Sequence, residues 1–167
     1  GLNLGLHFLS GALTYDAAAN DCEATLASKI VWLDAFITNV DRTFKNTNLL
    51  LWKKELWLID HGASFYFHHS WTNWETSAKT PFTLIKDHVL LPKASKLDEV
   101  HQEFTSKLND TIVGEFLIQF PKVCFLWEGV LNSSPESKEV NFHFLSIRLK
   151  SADLFLKQPQ HAQKPLI

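Results

Sequence analysis

The feature that most constrains the fold is a pair of short apolar runs joined by a polar connection. Residues 49–52 and 56–59 are entirely apolar, and Lys53, Lys54 and Glu55 lie between them. Short apolar runs with a polar connection of this length predict a β-hairpin. Because neither run alternates between apolar and polar residues, we expect both faces of the hairpin to be buried inside the domain.

Polar residues stand on both sides of the predicted hairpin. Asp41 and Asn46 lie five residues apart in the loop before it, and Asp60 follows its second strand directly. An Asp and an Asn at this spacing on a tight loop can point the same way, and the returning strand delivers the second Asp beside them. Phosphotransferases arrange a catalytic Asp, a metal-binding Asn and a second metal-binding Asp in this order along the chain.

The residues of this stretch resemble a known family. Asn39-x-Asp41 followed by Lys45-Asn46 is similar to the Asn-x-Asp-x-His-x-Lys-Asn loop of HipA-like kinases. The Asp-Arg pair at 41–42, with Asn46 and the later Ile-Asp pair at 59–60, also resembles phosphoinositide kinases. Residues 32 to about 71, and more loosely the helical remainder, look most like the compact bacterial HipA-like kinase domain.

The resemblance implies a role for each site residue. Asp41 would be the catalytic base, and Lys45 would lie close to the transferred phosphate. Asn46 and Asp60 would be the cofactor-binding residues, as ligands of Mg²⁺ on ATP. The implied reaction moves the γ-phosphoryl group of ATP to a hydroxyl acceptor.

Two positions differ from the kinase patterns. Thr43 stands where the family loop has His, and Asp60-His61-Gly62 stands where protein kinases have Asp-Phe-Gly. These differences bear on the substrate class more than on phosphoryl transfer. They leave the acceptor open, as a protein or a small molecule.

Other interpretations of the same residues remain. Asp, Asn and Arg are ordinary turn residues, and an Asp before His-Gly can simply begin a loop. The histidines at 61, 68, 69 and 88 could supply a metal site, but their spacing lacks a zinc pattern and favours packing or substrate contact. A kinase-derived lobe that binds a partner without catalysis is the alternative function.

Composition is typical of one globular domain. The chain has 167 residues, of which 46% are hydrophobic, and a formal net charge of -2. The near balance of charge indicates no surface for direct nucleic-acid binding, and no apolar run is long enough for a membrane span. We therefore expect a cytoplasmic protein whose partners are ATP and the hydroxyl acceptor.

The predicted organisation is α+β and mainly α-helical, as in the C-terminal lobe of a protein-kinase-like fold with a small catalytic β-hairpin. We expect residues 1–20 to be a linker from a missing N-terminal lobe, 21–157 to form the lobe, and 158–167 to be a frayed tail. No Gly-x-Gly-x-x-Gly pattern occurs in the linker.

Helical periodicity and end signals predict three longer helices. The first has Asn20 or Asp21 as its N-cap, runs to about Thr38, and buries a stripe of four residues: Leu26, Ile30, Leu33 and Ile37. The second spans residues 98–120. The third begins at Ser134 or Ser137, after a loop over 129–138.

Overall fold

The computed structural model describes residues 8–69, 71–119 and 134–163. These residues form a mainly helical α+β structure with a small three-stranded antiparallel sheet. The strands are β1 (Leu13–Thr14), β2 (Leu49–Trp52) and β3 (Glu55–Leu58). The helices are α1 (Ala24–Phe36), α2 (Trp74–Lys79), α3 (Leu97–Lys107), α4 (Asp110–Ile118), α5 (Ser134–Lys150) and α6 (Ala152–Gln163). Short 3₁₀ helices cover Tyr66–His69, Trp71–Asn73, Thr83–Asp87 and Leu91–Lys93.

The predicted hairpin is present, with its second strand starting one residue earlier than expected. Trp52 pairs with Glu55, so only Lys53 and Lys54 connect the strands. Both have left-handed backbones, with φ of 51° and 71°. This handedness matches the tight two-residue turns that suit the right-handed twist of paired strands.

The prediction that both hairpin faces are buried was wrong. Leu49 is 1% exposed and packs into the core, whereas Trp57, on the opposite face, is 37% exposed. The sheet therefore packs one face on the core and leaves the other open. An antiparallel sheet of this kind needs only one covered face, and large apolar side chains on the open face obscure that pattern in the sequence.

The segment before α1, which the sequence predicts to be a linker, contributes to the sheet and to the core. Leu13 pairs with Leu51 across the sheet edge. Tyr15 is 1% exposed, and its amide donates to the Leu49 carbonyl at 2.9 Å.

The N-cap of α1 lies two or three residues later than expected, and the buried face of the helix differs from the predicted stripe. Glu23 caps it, with its carboxylate oxygens accepting the amides of Thr25 and Leu26 at 2.8 Å. Leu26 and Leu33 are 40% and 37% exposed, so the predicted stripe was wrong at those two positions. The buried side chains are Ala27, Ser28, Ile30, Val31, Trp32, Asp34, Ala35 and Phe36. Small and polar side chains contribute to the buried face, and a prediction based only on the spacing of large apolar residues leaves them out.

Later helices are shorter and more numerous than predicted. The expected helix over 98–120 is broken between α3 and α4, where Asn109 caps α4 by accepting the Ile112 amide at 3.1 Å. The expected final helix consists of α5 and α6, with Ser151 between them. Of the loop expected over 129–138, residues 134–138 are helical and 129–133 lie outside the described residues. Likewise α6 continues into the expected tail, and 164–167 lie outside the description.

The core surrounds α1. Trp32 packs edge-on against Phe104 of α3 and Phe155 of α6, with ring centroids 5.0 and 5.3 Å apart. Arg148 of α5 is 1% exposed and donates to the carbonyls of Ala35 and Phe36 at 2.6 and 2.7 Å. A cation bonded to the last carbonyls of a helix is favourable, so α1 ends at a fixed place beside the polar loop.

No helix within the described ranges has the length and apolar character to cross a bilayer.

Candidate functional site

The loop between α1 and β2 folds back on itself. The Thr43 amide donates to the Asn46 carbonyl at 2.8 Å, and the Asn46 amide donates to Thr43 Oγ1 at 3.3 Å. This turn over residues 43–46 returns the chain toward Asp41. Asn48, the last loop residue, has a left-handed backbone with φ of 47°, which Asn tolerates better than most side chains.

Two side-chain amides hold the Asp41 carboxylate through the same oxygen. Asn46 Nδ2 donates to Asp41 Oδ2 at 2.9 Å, and Asn48 Nδ2 donates to that oxygen at 3.2 Å and to the Asp41 carbonyl at 3.0 Å. Within the described part of the chain, Oδ1 has no hydrogen-bond donor. The structure thus brings Asp41 and Asn46 together and leaves one carboxylate oxygen open.

Asp60 lies on the turn that follows β3. The preceding residue, Ile59, donates its amide to the Asn48 carbonyl at 3.0 Å, which places the start of the turn beside the Asp41 loop. Asp60 is exposed, has φ of 47°, and accepts the Gly62 amide on Oδ1 at 3.2 Å. In the ranges that the structure describes, it forms no direct hydrogen bond with Asp41 or Asn46.

A cleft of about 640 Å³ opens beside this loop. Its walls come from residues 14–18 and 44–50, together with Ile59 and Val89. Lys45 and Asn46 line the cleft, whereas Asp41 and Asp60 do not. The cleft therefore combines a polar loop on one side with apolar side chains of the sheet on the other.

Beneath the loop lies a buried polar network that centres on Asp34 of α1, which is 0% exposed. Its carboxylate accepts Asn39 Nδ2 at 3.0 Å, Arg42 Nε at 2.6 Å and His88 Nε2 at 2.9 Å. Burial raises the pKa of Asp34, but the His88 hydrogen bond and the Arg42 charge outweigh burial and lower the pKa below its ordinary value. A buried carboxylate with three donors is an ionised anchor for the loop.

His88 is the neutral partner in this network. The Leu90 amide donates to His88 Nδ1 at 3.0 Å, so Nδ1 carries no hydrogen and Nε2–H donates to Asp34. Burial lowers the pKa of His88, and the Asp34 carboxylate only partly opposes that effect. The contact with Asp34 is therefore a hydrogen bond from a neutral imidazole to an ionised carboxylate rather than an ion pair.

Arg42 links the buried network to the residue before β2 and to the turn after β3. Besides Asp34, its guanidinium donates to the Asn48 carbonyl and, through Nη2, contacts His61 Nε2 at 3.0 Å. A guanidinium has no acceptor, so His61 Nε2 accepts this bond. Burial and the Arg42 charge lower the pKa of His61. One buried side chain thus joins α1, the start of β2 and the turn that carries Asp60.

Sequence reasoning did not predict that Arg42 and His88 bond to Asp34 beneath the loop. On the sequence alone, Asp34 in the helix before the loop is open to a catalytic role or to a role as a polar-face or loop-bracing residue, and its position favours the latter. The structure shows a buried loop brace. The available signal was a carboxylate between apolar neighbours near the end of the first predicted helix, because such a charge requires a partner when it is buried.

The residues present fit the oxygen chemistry of Mg²⁺. Asn46 donates through Nδ2 to Asp41, which leaves its Oδ1 as a ligand oxygen, and Asp60 has Oδ2 free of protein donors among the described residues. Mg²⁺ binds through one or two protein oxygens and keeps water and phosphate oxygens as its other ligands. Two protein oxygens, from Asn46 and Asp60, are therefore of the type and number that a Mg²⁺ site uses.

The histidines do not form a metal cluster in the described ranges, where no group of three or more His, Cys, Asp or Glu side chains is placed to hold an ion. His61, His68 and His88 contact Arg42, Asn141 and Asp34 through their Nε2 atoms. The side chain of His69 lies outside the description.

No family model, curated protein or solved structure matches the chain.

Proposed function

We propose that this chain is the C-terminal lobe of a kinase-like fold, similar to HipA-like kinases, that transfers the γ-phosphoryl group of ATP to a hydroxyl. The observation that carries the proposal is the Asp41 carboxylate, held through Oδ2 by Asn46 and Asn48 next to a cleft that Asn46 itself lines.

Asp41 has the geometry of a general base. Because both amides bind Oδ2, the carboxylate is fixed in orientation and Oδ1 remains able to accept a proton from an acceptor hydroxyl. Asp34, through Arg42 and Asn39, holds the loop backbone on which this carboxylate stands. Phosphoryl transfer depends mainly on such positioning.

Asn46 and Asp60 would supply protein oxygens to Mg²⁺, and the exposed ammonium group of Lys45 would approach the phosphates from the cleft wall. When bound, the metal neutralises negative charge on the phosphate oxygens. The cleft volume of about 640 Å³ lies within the range of small-molecule sites, and Leu49, Leu50 and Ile59 offer an apolar surface to a nucleotide base. Such an enzyme would act in the cytoplasm, where ATP is supplied.

The test is transfer of labelled γ-phosphate from Mg²⁺·ATP, to the protein itself or to water, by the full natural protein. Asp41→Asn should lower the rate by at least about 100-fold, the usual contribution of a general base, with a smaller effect on the affinity for Mg²⁺·ATP. Asp16→Asn is the matched control, because Asp16 is a carboxylate that lines the same cleft with no assigned role. Wild-type transfer by Asp41→Asn would refute the assignment of the base.

A non-catalytic, kinase-derived binding module is the second candidate. Neither Asp41 nor Asp60 is among the residues that line the cleft, and this observation favours that candidate. Calorimetric titration with ATP in the presence and absence of Mg²⁺ separates the two functions. A kinase binds the nucleotide in a magnesium-dependent manner, whereas a degenerate lobe shows no such dependence.

A further inference from the structure

We propose that His61 is a positioning residue, which holds the Asp60 turn in register with the Asp41 loop by accepting a hydrogen bond from the buried Arg42 guanidinium. The consequence for metal–nucleotide binding rests on the proposed function, whereas the positioning of the turn does not. The ligand whose affinity should depend on this hydrogen bond is a divalent cation together with a nucleoside phosphate.

The Arg42 guanidinium is held in place by hydrogen bonds other than the one to His61. Arg42 is 1% exposed, its Nε is bonded to Asp34 at 2.6 Å, and a second nitrogen is bonded to the Asn48 carbonyl. A planar guanidinium whose other nitrogens are bonded in this way has little freedom to rotate. Its Nη2 therefore presents a hydrogen at a defined point, 3.0 Å from His61 Nε2.

Asp60 lies between two attachments of its turn to the loop. On one side Ile59 donates to the Asn48 carbonyl at 3.0 Å, and on the other side His61 accepts from Arg42. The same Asn48 carbonyl accepts from Arg42 as well, so both attachments share one anchor. Removing the His61 contact would leave residues 60–62 attached to the loop through Ile59 on one side, whereas on the other side the next attachment is the Ala63 carbonyl, which accepts the Val40 amide at 3.4 Å.

The contact is not a requirement of the core. His61 is an exposed residue, so replacement of its ring leaves no cavity in the hydrophobic interior. Arg42 keeps its bonds to Asp34 and to the Asn48 carbonyl when the ring is removed. Variants at position 61 should therefore fold, which makes the link accessible to experiment.

The experiment compares His61→Leu, which has no acceptor, with His61→Gln, whose side-chain oxygen can replace Nε2. Amide hydrogen exchange is measured first, without nucleotide. Exchange at Gly62 and Ser64, whose amides bond to Asp60 and to the His61 carbonyl, should quicken about tenfold or more in His61→Leu and stay near wild type in His61→Gln. Amides of α1 should be unchanged in both variants.

Calorimetry with Mg²⁺·ADP is the second measurement. His61→Leu should weaken binding by about 10- to 100-fold, as loss of residues that orient a metal ligand usually does, while His61→Gln should stay within about threefold. His143→Leu is the matched control, because His143 has a half-exposed side chain on α5.

The two measurements distinguish failure of the positioning role from failure of the proposed function. Unchanged exchange in His61→Leu, or equal acceleration in Leu and Gln, would overturn the positioning role. Absence of magnesium-dependent binding by the wild-type protein would instead refute the proposed function and leave the exchange result to decide the positioning role.

Discussion

Asn48 and Asp60 both have φ of 47°, a left-handed backbone that most side chains avoid. Asn and Asp tolerate it because their short polar groups bond to nearby backbone. Here Asn48 bonds to the Asp41 carbonyl, and Asp60 accepts the Gly62 amide. The unusual backbone of these residues therefore has a local compensation, and it directs their side chains toward the loop and the turn.

A side chain at position 62 would crowd the Asp60 carboxylate. A Cβ at Gly62 would lie 3.1 Å from Asp60 Oδ1, so Gly62→Ala should displace the carboxylate and weaken Mg²⁺·ADP binding by about tenfold in calorimetry. Gly114→Ala is the control, because its Cβ would meet Phe142 at an ordinary 3.6 Å. In the helix it should raise the free energy of unfolding by up to about 1 kcal/mol and leave binding unchanged. Equal binding by Gly62→Ala and wild type would contradict this role for glycine.

Asp34 anchors the loop through its buried bonds to Asn39 and Arg42. Asp34→Ala would leave the buried Arg42 without its carboxylate, and loss of one partner from a buried pair costs about 3–5 kcal/mol. Denaturant unfolding measures this loss. Asp21→Ala should have no measurable effect, because the Asp21 side chain is 97% exposed and its contact with Lys93 is at the surface. A loss below about 1 kcal/mol in Asp34→Ala would show that the network does not hold the loop.

At the scale of elements, residues 97–118 form two helices, α3 and α4, rather than one continuous helix. Leu108 has an extended backbone after α3, and Asn109 restarts the helix by capping α4. The cap is a local signal, but continuous apolar spacing across the break conceals it in the sequence.

The break predicts an asymmetric effect of two Asn→Ala substitutions. Asn109→Ala removes the side-chain bond to the Ile112 amide and should lower the free energy of unfolding by about 0.5–2 kcal/mol. Asn73→Ala should have a smaller effect, because Asn73 precedes α2 without a side-chain capping bond. Denaturant unfolding of both variants checks the difference, and equal losses would count against the cap.

At the scale of the whole molecule, α1 connects the helical core to the site. Arg148 fixes its C-terminal carbonyls, and Asp34 bonds to the loop and to His88, 54 residues away in the chain. Burial lowers the pKa of Arg148 to about 10, so the guanidinium stays charged at neutral pH. The loop geometry therefore depends on helices that contribute no residue to the cleft.

This connection predicts that stability falls in mild acid. The folded state holds His88 neutral, whereas the unfolded chain binds a proton below the ordinary pKa of 6.5, so the free energy of unfolding should decrease as the pH falls below 6.5. The lowered pKa of Asp34 adds a second loss, which begins near its ordinary value of 3.8. Denaturant unfolding at pH 7.5 and 5.5 tests the first loss.

Two variants identify the group responsible. His88→Asn should reduce the difference between the two pH values, and His143→Asn should retain it, because the His143 side chain is half-exposed. An unchanged difference in His88→Asn would mean that another group titrates.

The sequence by itself determined the mainly helical α+β class, the hairpin and the proximity of Asp41 to Asn46. Each depends on residues close together in the chain, where turn geometry and strand length limit the possible conformations. The tertiary structure decided which face of α1 is buried, how the segment at 13–15 joins the sheet, and how Arg42 connects Asp34 to His61. Those outcomes depend on partners far apart in sequence, because a buried polar side chain is stable only where distant residues supply its hydrogen bonds.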